Sequence, residues 1–284
     1  MPANKKIPKK VGLALSGGST LGIAHVGVLK ALADNGISID CISGTSAGAL
    51  VAACYAFGLP ISEISDLAKG MNWKKISSFA YSRLGLHSNK PMSNFITDLL
   101  GDVKIEDAGI PLAVIATDIE TYEMVTLRSG SLHEAVRAST CIPGLFSPVE
   151  LDGKLLVDGG LSENLPLTSL AEMGATIKIG VNLVANPPSL KPKNVFDVLN
   201  NSFTVLSRHR DSSLSSRADV IIEPDLSAFN ASKFKDAELM MKEGYDATIR
   251  VMPLIRGKIT SLKIGKKDGE QEGLMSRLRG FFKR

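Results

Sequence analysis

The chain has 284 residues, 44% hydrophobic and 22% charged, a globular composition with room for one large core or two small ones. Its net charge of +4 is uneven: residues 1–10 carry four lysines and no acid, residues 256–284 nine basic and three acidic residues, and the stretch between 20 basic and 26 acidic. The mildly acidic body, without a stacking-aromatic motif, argues against nucleic acid as a partner; no apolar run reaches transmembrane length; and Cys41, Cys54 and Cys141 show no C-x-x-C spacing, so neither a disulfide framework nor a zinc site is implied.

The basic start followed by Val11–Leu15 has a superficial likeness to a signal peptide. Ser16-Gly17-Gly18-Ser19 breaks the apolar run too soon, so a retained, cytoplasmic N-terminus is expected. Val11–Leu15 reads as a strand buried on both faces, residues 16–22 as a glycine loop, and Ile23–Asp34 as a helix closed by Gly36. Ile37–Ile42 reads as a short buried strand and Ala47–Ala56 as a helix rich in small residues. Helices are expected over Ile61–Met71 and Ser93–Leu100, with an irregular segment between them, Asn72–Met92, suited to a lid or to a plain exposed connection. Pro111–Thr117 is a strong central strand, and Met124–Leu127 makes a hairpin with it. Leu132–Ser139 is a short helix, Cys141–Pro148 an apolar loop able to wall a pocket, and Lys154–Val157 a strand ending at Asp158-Gly159-Gly160. Helix Leu167–Met173, strand Ala175–Val184, helix Phe196–Arg210, strand Ala218–Glu223 and helix Phe234–Ile255 complete the body. This alternation predicts one three-layer α/β/α sandwich with a mostly parallel central sheet.

Gly44-Thr45-Ser46-Ala47-Gly48 fits G-x-S-x-G, the nucleophile elbow, in which a serine sits on a sharp turn between a strand and a helix. Gly44 and Gly48 lack a β-carbon, which lets strand and helix approach closely. The plain alternative is a tight turn with a serine N-cap. The loop around Gly17, Gly18 and Ser19 opens a helix, where backbone N–H groups and the helix dipole favour negative charge. It lacks the middle glycine of a dinucleotide loop and the Gly-Lys-Ser/Thr of a Walker loop. Facing Ser46, it would serve as an oxyanion hole; otherwise it is a structural turn.

A serine hydroxyl needs a general base. Of His25, His87, His133 and His209, only His209 follows Asp158 as an α/β-hydrolase order requires, and it sits on the polar side of a helix. His25 lies beside the glycine loop and reads as a packing residue. Direct proton transfer from Ser46 to Asp158 accounts for the pattern better. An ordinary aspartate, with a pKa of about 3.9, is a weak base, so a glycine-lined and fairly apolar setting is expected for Asp158. Its plain alternative is a turn aspartate capping its own loop.

Three ordered motifs resemble those of patatin-like phospholipases: Gly17-Gly18-Ser19-Thr20-Leu21-Gly22, Gly44-Thr45-Ser46-Ala47-Gly48 and Asp158-Gly159-Gly160. Ile142–Phe146 is also similar, and the likeness runs over about residues 10–225, nearer to small bacterial members than to plant storage proteins. The resemblance implies a serine lipid acyl hydrolase with a Ser46–Asp158 dyad, oxyanion donors at Gly17, Gly18 and Ser19, and no metal or cofactor. Two positions depart from the family's loop, where Ser19 replaces a glycine and Leu21 a basic residue; an uncharged ester or thioester is one substrate class compatible with that loss.

The expected organisation is a basic arm (1–10), a hydrolase domain (11–262) and a basic tail (263–284). In the tail, Leu274, Leu278, Phe281 and Phe282 recur at helical spacing among Arg277, Arg279, Lys283 and Arg284, a pattern suited to a membrane interface or to a frayed or docked end. A lipid or acyl-ester substrate and a cytoplasmic location, with room for peripheral contact at the inner membrane face, complete the reading. Acyl transfer through the same nucleophile, or a non-catalytic regulatory protein on the same fold, are the alternatives, and the oligomeric state stays open.

Overall fold

The computed structural model describes residues 9–79, 83–186, 191–193, 195–231 and 233–264. The expected arm therefore lies almost wholly, and the amphipathic tail residues wholly, outside the described residues. In chain order the first elements are β1 (Val11–Leu15), a 3-10 turn (Ser19–Ile23), α1 (Ala24–Asp34), β2 (Cys41–Thr45), α2 (Ala47–Ala56) and α3 (Ile61–Lys69). Next come α4 (Trp73–Ile76), β3 (Ser78–Phe79), β4 (Gly85–Ser88), α5 (Lys90–Leu100), β5 (Leu112–Asp118), β6 (Met124–Leu127) and α6 (Leu132–Ser139). The rest are β7 (Gly144–Phe146), β8 (Val149–Leu151), β9 (Lys154–Asp158), α7 (Leu167–Glu172), β10 (Ile177–Val181), α8 (Val195–Leu214), β11 (Val220–Ile222) and α9 (Ala237–Ile264).

The main sheet runs β11-β10-β1-β2-β5 with every neighbour parallel. Both faces are covered, as near-continuous apolar strands require. Leu13, Leu15, Ile42 and Val114 pack into the large cluster that includes Leu29 of α1 and Ala52 of α2, while the alternating Ala14, Cys41 and Ala113 meet Leu167 and Leu170 of α7. This is the expected three-layer arrangement.

Antiparallel strands complete the sheet around β5. β6 takes one edge of β5 over Val114–Thr117. β2 pairs with Leu112–Ile115 and β9 with Ala116–Asp118. Both spans overlap that of β6, so β2 and β9 share the opposite edge, lying end to end. β2 runs parallel to β5 and β9 antiparallel, so their C-terminal ends converge: Thr45 faces Ile115 and Asp158 faces Ala116.

The main differences from the sequence reading lie in three segments. The strand expected at Ile37–Ile42 begins at Cys41 and continues to Thr45, because Asp40 turns back to accept from the Val11 N–H (2.6 Å) and the pairing with β1 and β5 starts only at Cys41 and Ile42. The irregular stretch 72–92 holds a small second sheet, β3-β4-β7, whose third strand comes from the loop expected at 141–148. Neither strand carries an alternating pattern long enough to signal itself. The last helix extends to Ile264, with Pro253 inside it. Among the described residues no helix is long and apolar enough to cross a membrane.

Candidate active site

Ser46 stands between β2 and α2 at φ 55°, ψ −124°, a region that L-residues rarely adopt. Close packing holds it there. A Cβ on Gly48 would lie 2.2 Å from the Leu15 carbonyl oxygen, and one on Gly44 would lie 2.5 Å from that of Gly48. The Ser46 N–H donates to Ser139 Oγ (2.8 Å), which in turn donates to the Ile115 carbonyl (2.6 Å). The Ser46 carbonyl accepts from the Ala49 N–H, but its side chain makes no capping bond, so the plain N-cap reading fails. The hydroxyl instead donates to Asp158 Oδ2 at 2.6 Å.

Asp158 ends β9. Its N–H donates to the Cys141 carbonyl (2.9 Å), and its carbonyl accepts from Thr117 Oγ1 (3.1 Å). Carboxylate oxygen Oδ1 accepts from the Gly160 N–H (2.8 Å), which leaves Oδ2 to Ser46. The turn-capping and serine-facing roles thus coexist on one carboxylate. Burial pushes its pKa from 3.8 up to about 6, against the opposing pull of the bonds from Ser46 and Gly160. Gly159 is needed for the turn, since a Cβ there would lie 2.3 Å from the Ile115 carbonyl oxygen.

The glycine loop flanks this pair. Gly17, Gly18 and Ser19 line the cavity that also contains Ser46 and Asp158. The Gly17 N–H is committed to the Asn164 carbonyl (3.2 Å), and a Cβ on Gly17 would meet Asn164 Oδ1 at 2.6 Å. Gly17 therefore serves close approach, and among the described residues the Gly18 and Ser19 N–H groups have no hydrogen-bond partner. Ser19 adopts φ 54°, a left-handed conformation natural to the glycine that the family's loop carries there.

No described histidine side chain joins the pair. His25 is fully buried, its Nε2 lies 2.8 Å from the Ser16 carbonyl oxygen, and burial lowers its pKa to about 4, so it is a neutral packing residue. His87 packs edge-on to Phe79, and His133 bonds Ser93. His209 falls on α8, at a position whose side chain is outside those described. No cluster of His, Cys, Asp and Glu able to hold a metal occurs among the described residues.

Two compartments meet at Ser46. One is almost wholly apolar, walled by Val26, Leu50 and Cys54 of α1 and α2, Ile64 and Ala68 of α3, and Met92 and Phe95 of α5. The other is mixed, bounded by the glycine loop, Asp158 and Asn164 on one side and by Thr204, Ser207 and Arg208 of α8 on the other. The sequence reading did not single out Ser139, Asn164 or Arg208. Only long-range packing brings them to Ser46, and no local motif marks them.

The pattern of the patatin-like phospholipase family matches residues 13–171. An uncharacterized NTE family protein of Mycobacterium tuberculosis is 36% identical over 177 residues, 61% of this chain and 49% of that protein. A lysophospholipase of Yarrowia lipolytica, NTE1, is 30% identical over 204 residues, 70% of this chain and 14% of that one. The chain thus spans about half the length of the mycobacterial relative and a small part of the fungal one. Among solved structures, VipD from Legionella pneumophila shares the fold, with a TM-score of 0.59 over 87% of this chain and 67% of that one, at 17% identity. With the family's pattern covering more than half of its length, and this fold around it, the chain belongs to the patatin-like phospholipase family.

Proposed function

We propose that this protein hydrolyses the carboxylic ester of a lipid through an acyl-enzyme, with Ser46 as nucleophile and Asp158 as its base. The observation that carries the reading is the 2.6 Å hydrogen bond from the Ser46 hydroxyl to a buried carboxylate of raised pKa. Such a carboxylate is a better proton acceptor than an exposed one while still ionised at neutral pH.

The steps follow from the positions. Ser46 Oγ attacks the ester carbon as its proton passes to Asp158 Oδ2. The N–H groups of Gly18 and Ser19 receive the negative charge that develops on the carbonyl oxygen. Collapse expels the alcohol, which takes the proton from Asp158. Water then attacks the acyl-Ser46 ester with Asp158 as base, releasing the acid and restoring the serine. The apolar compartment suits the acyl chain. The mixed compartment suits the leaving alcohol, and Arg208 supplies there a cation that the glycine loop lacks at Leu21. The fungal relatives' name, lysophospholipase, supports a substrate of this kind.

The test is turnover of p-nitrophenyl acyl esters together with labelling by a fluorophosphonate. Wild-type protein should do both and Ser46→Ala neither. A pure Ser46→Ala protein that still turned over ester would defeat the reading, and a wild type that never labels would favour a non-catalytic role.

A further inference from the structure

The surface at the mouth of the site is apolar where an ordinary solvent face would be polar. α8 exposes Val198, Leu199, Val205 and Leu206, positions i, i+1, i+7 and i+8, which form one stripe along the helix. Leu206 is 62% exposed. Nearby, the β3–β4 ribbon exposes Phe79 (81%) and Leu86. β7 joins the two sets: Gly144 pairs with Gly85 of β4, and a Cβ on Gly144 would lie 3.2 Å from Leu199 Cδ1. Ile142 and Pro143, just before β7, wall the cavity that holds Ser46. Val205 of the stripe walls the same cavity, so the apolar surface reaches its rim.

The flanks of the ribbon are cationic. Lys74, Lys75, Arg83 and Lys90 are exposed around the ribbon, and the sequence holds no acid between Asp66 and Asp98. A contiguous exposed apolar patch marks a docking surface. Flanked on its ribbon side by lysine and arginine, and continuous with the cavity proposed to take a lipid, it fits an anionic bilayer better than a protein partner.

We infer that this face docks on anionic lipid membrane and seats the cavity mouth against the headgroups. A lipid then reaches Ser46 without its chain crossing water. The inference rests on the proposed lipid hydrolysis for its purpose, but the docking is measurable apart from it. This surface belongs to the folded body and is distinct from the contact expected of the tail.

The experiment is flotation of the full chain with vesicles of phosphatidylcholine alone or with about 30% phosphatidylglycerol. Wild type should float with the anionic vesicles, and the triple variant Phe79→Ser, Leu86→Ser, Leu206→Ser should bind them about tenfold more weakly. Turnover of a short soluble ester should be the same in both. A triple variant that floats like wild type places any membrane contact elsewhere, in the tail for instance, and overturns the inference. So does a wild type that stays in solution, or a triple variant whose one change is from dimer to monomer. A wild type that floats and loses binding in the triple variant, yet hydrolyses no ester, upholds the docking and ends the hydrolase reading alone.

Discussion

Thr45 and Asp158 face consecutive residues of β5, Ile115 and Ala116, along one edge of that strand. Two strands that run in opposite senses thus end nose to nose, and the residue after Thr45 meets the last residue of β9. The 2.6 Å contact between Ser46 and Asp158 is a product of sheet register, set by backbone hydrogen bonds on both sides. A change of one residue in either register would turn a side chain to the other face of the sheet and break the contact.

Asp158→Asn should abolish ester turnover, by on the order of 10³-fold or more, as expected for loss of a base that acts with its nucleophile. It should also stabilise the protein at neutral pH. The folded state holds the Asp158 proton more tightly than the unfolded chain, whose value is 3.8 against about 6. That contribution to stability is full below pH 3.8 and is lost as pH rises through about 6. At pH 7.5 the ionised, buried carboxylate therefore costs stability, on the order of 3 kcal/mol. Thermal melts should show Asp158→Asn melting above wild type at pH 7.5, with the gap narrowing at pH 4.5. A lower melting point at pH 7.5 would contradict the account.

The same titration sets the pH profile of the proposed reaction. A base must be ionised to act, so kcat/KM should fall about tenfold per pH unit below pH 6, the value to which Asp158 is raised, and level off above it. The profile is measured on a soluble p-nitrophenyl ester in the range where the melts show folded protein. A limb governed by a group near pH 4 would mean that the carboxylate is not the titrating base.

Ser139→Ala removes the hydroxyl that links the Ser46 N–H to the Ile115 carbonyl. Both backbone groups are buried, and leaving them unpaired costs about 1–3 kcal/mol. The elbow should loosen, with kcat falling about tenfold and KM little changed, because the hydroxyl orients the nucleophile and touches no substrate. Ser139→Gly, which also lacks the hydroxyl, should behave alike. Full kcat in both variants would assign the serine to stability alone.

Ser19→Gly restores the family's residue at a position with φ 54°. Relief of the left-handed strain outweighs the extra freedom gained by the unfolded chain, for a net gain of about 1 kcal/mol. Urea unfolding measures it. A loss of stability would show that the Ser19 side chain contributes more than its backbone costs.

Ala68 lines the apolar compartment from α3 and is only partly buried, so a larger side chain can enter there without crushing the core. Ala68→Trp should shorten the space for an acyl chain. The ratio of palmitate to butyrate turnover should drop about tenfold, the order expected when the burial of about two methylenes is lost. An unchanged ratio would place the acyl chain in the other compartment.

The sequence by itself determined which side chains are candidates for the chemistry and roughly where they sit along the chain. G-x-S-x-G with its flanking small residues, the glycine loop and Asp158-Gly159-Gly160 are local patterns, because each answers a local need: a sharp turn, a close approach, a freed N–H. The alternation of apolar segments likewise marked the main strands and helices, since burial on both faces imposes it within a few residues. What only the tertiary structure decided depends on pairing between distant segments. It placed Asp158 against Ser46 through the shared edge of β5, committed the Gly17 N–H to the Asn164 carbonyl, and drew Ser139 beneath the elbow. It also gave the unremarkable stretch 72–92 a ribbon that pairs with β7. No residue in that stretch announces its partner, because the register of a short strand is fixed by the strand that it meets.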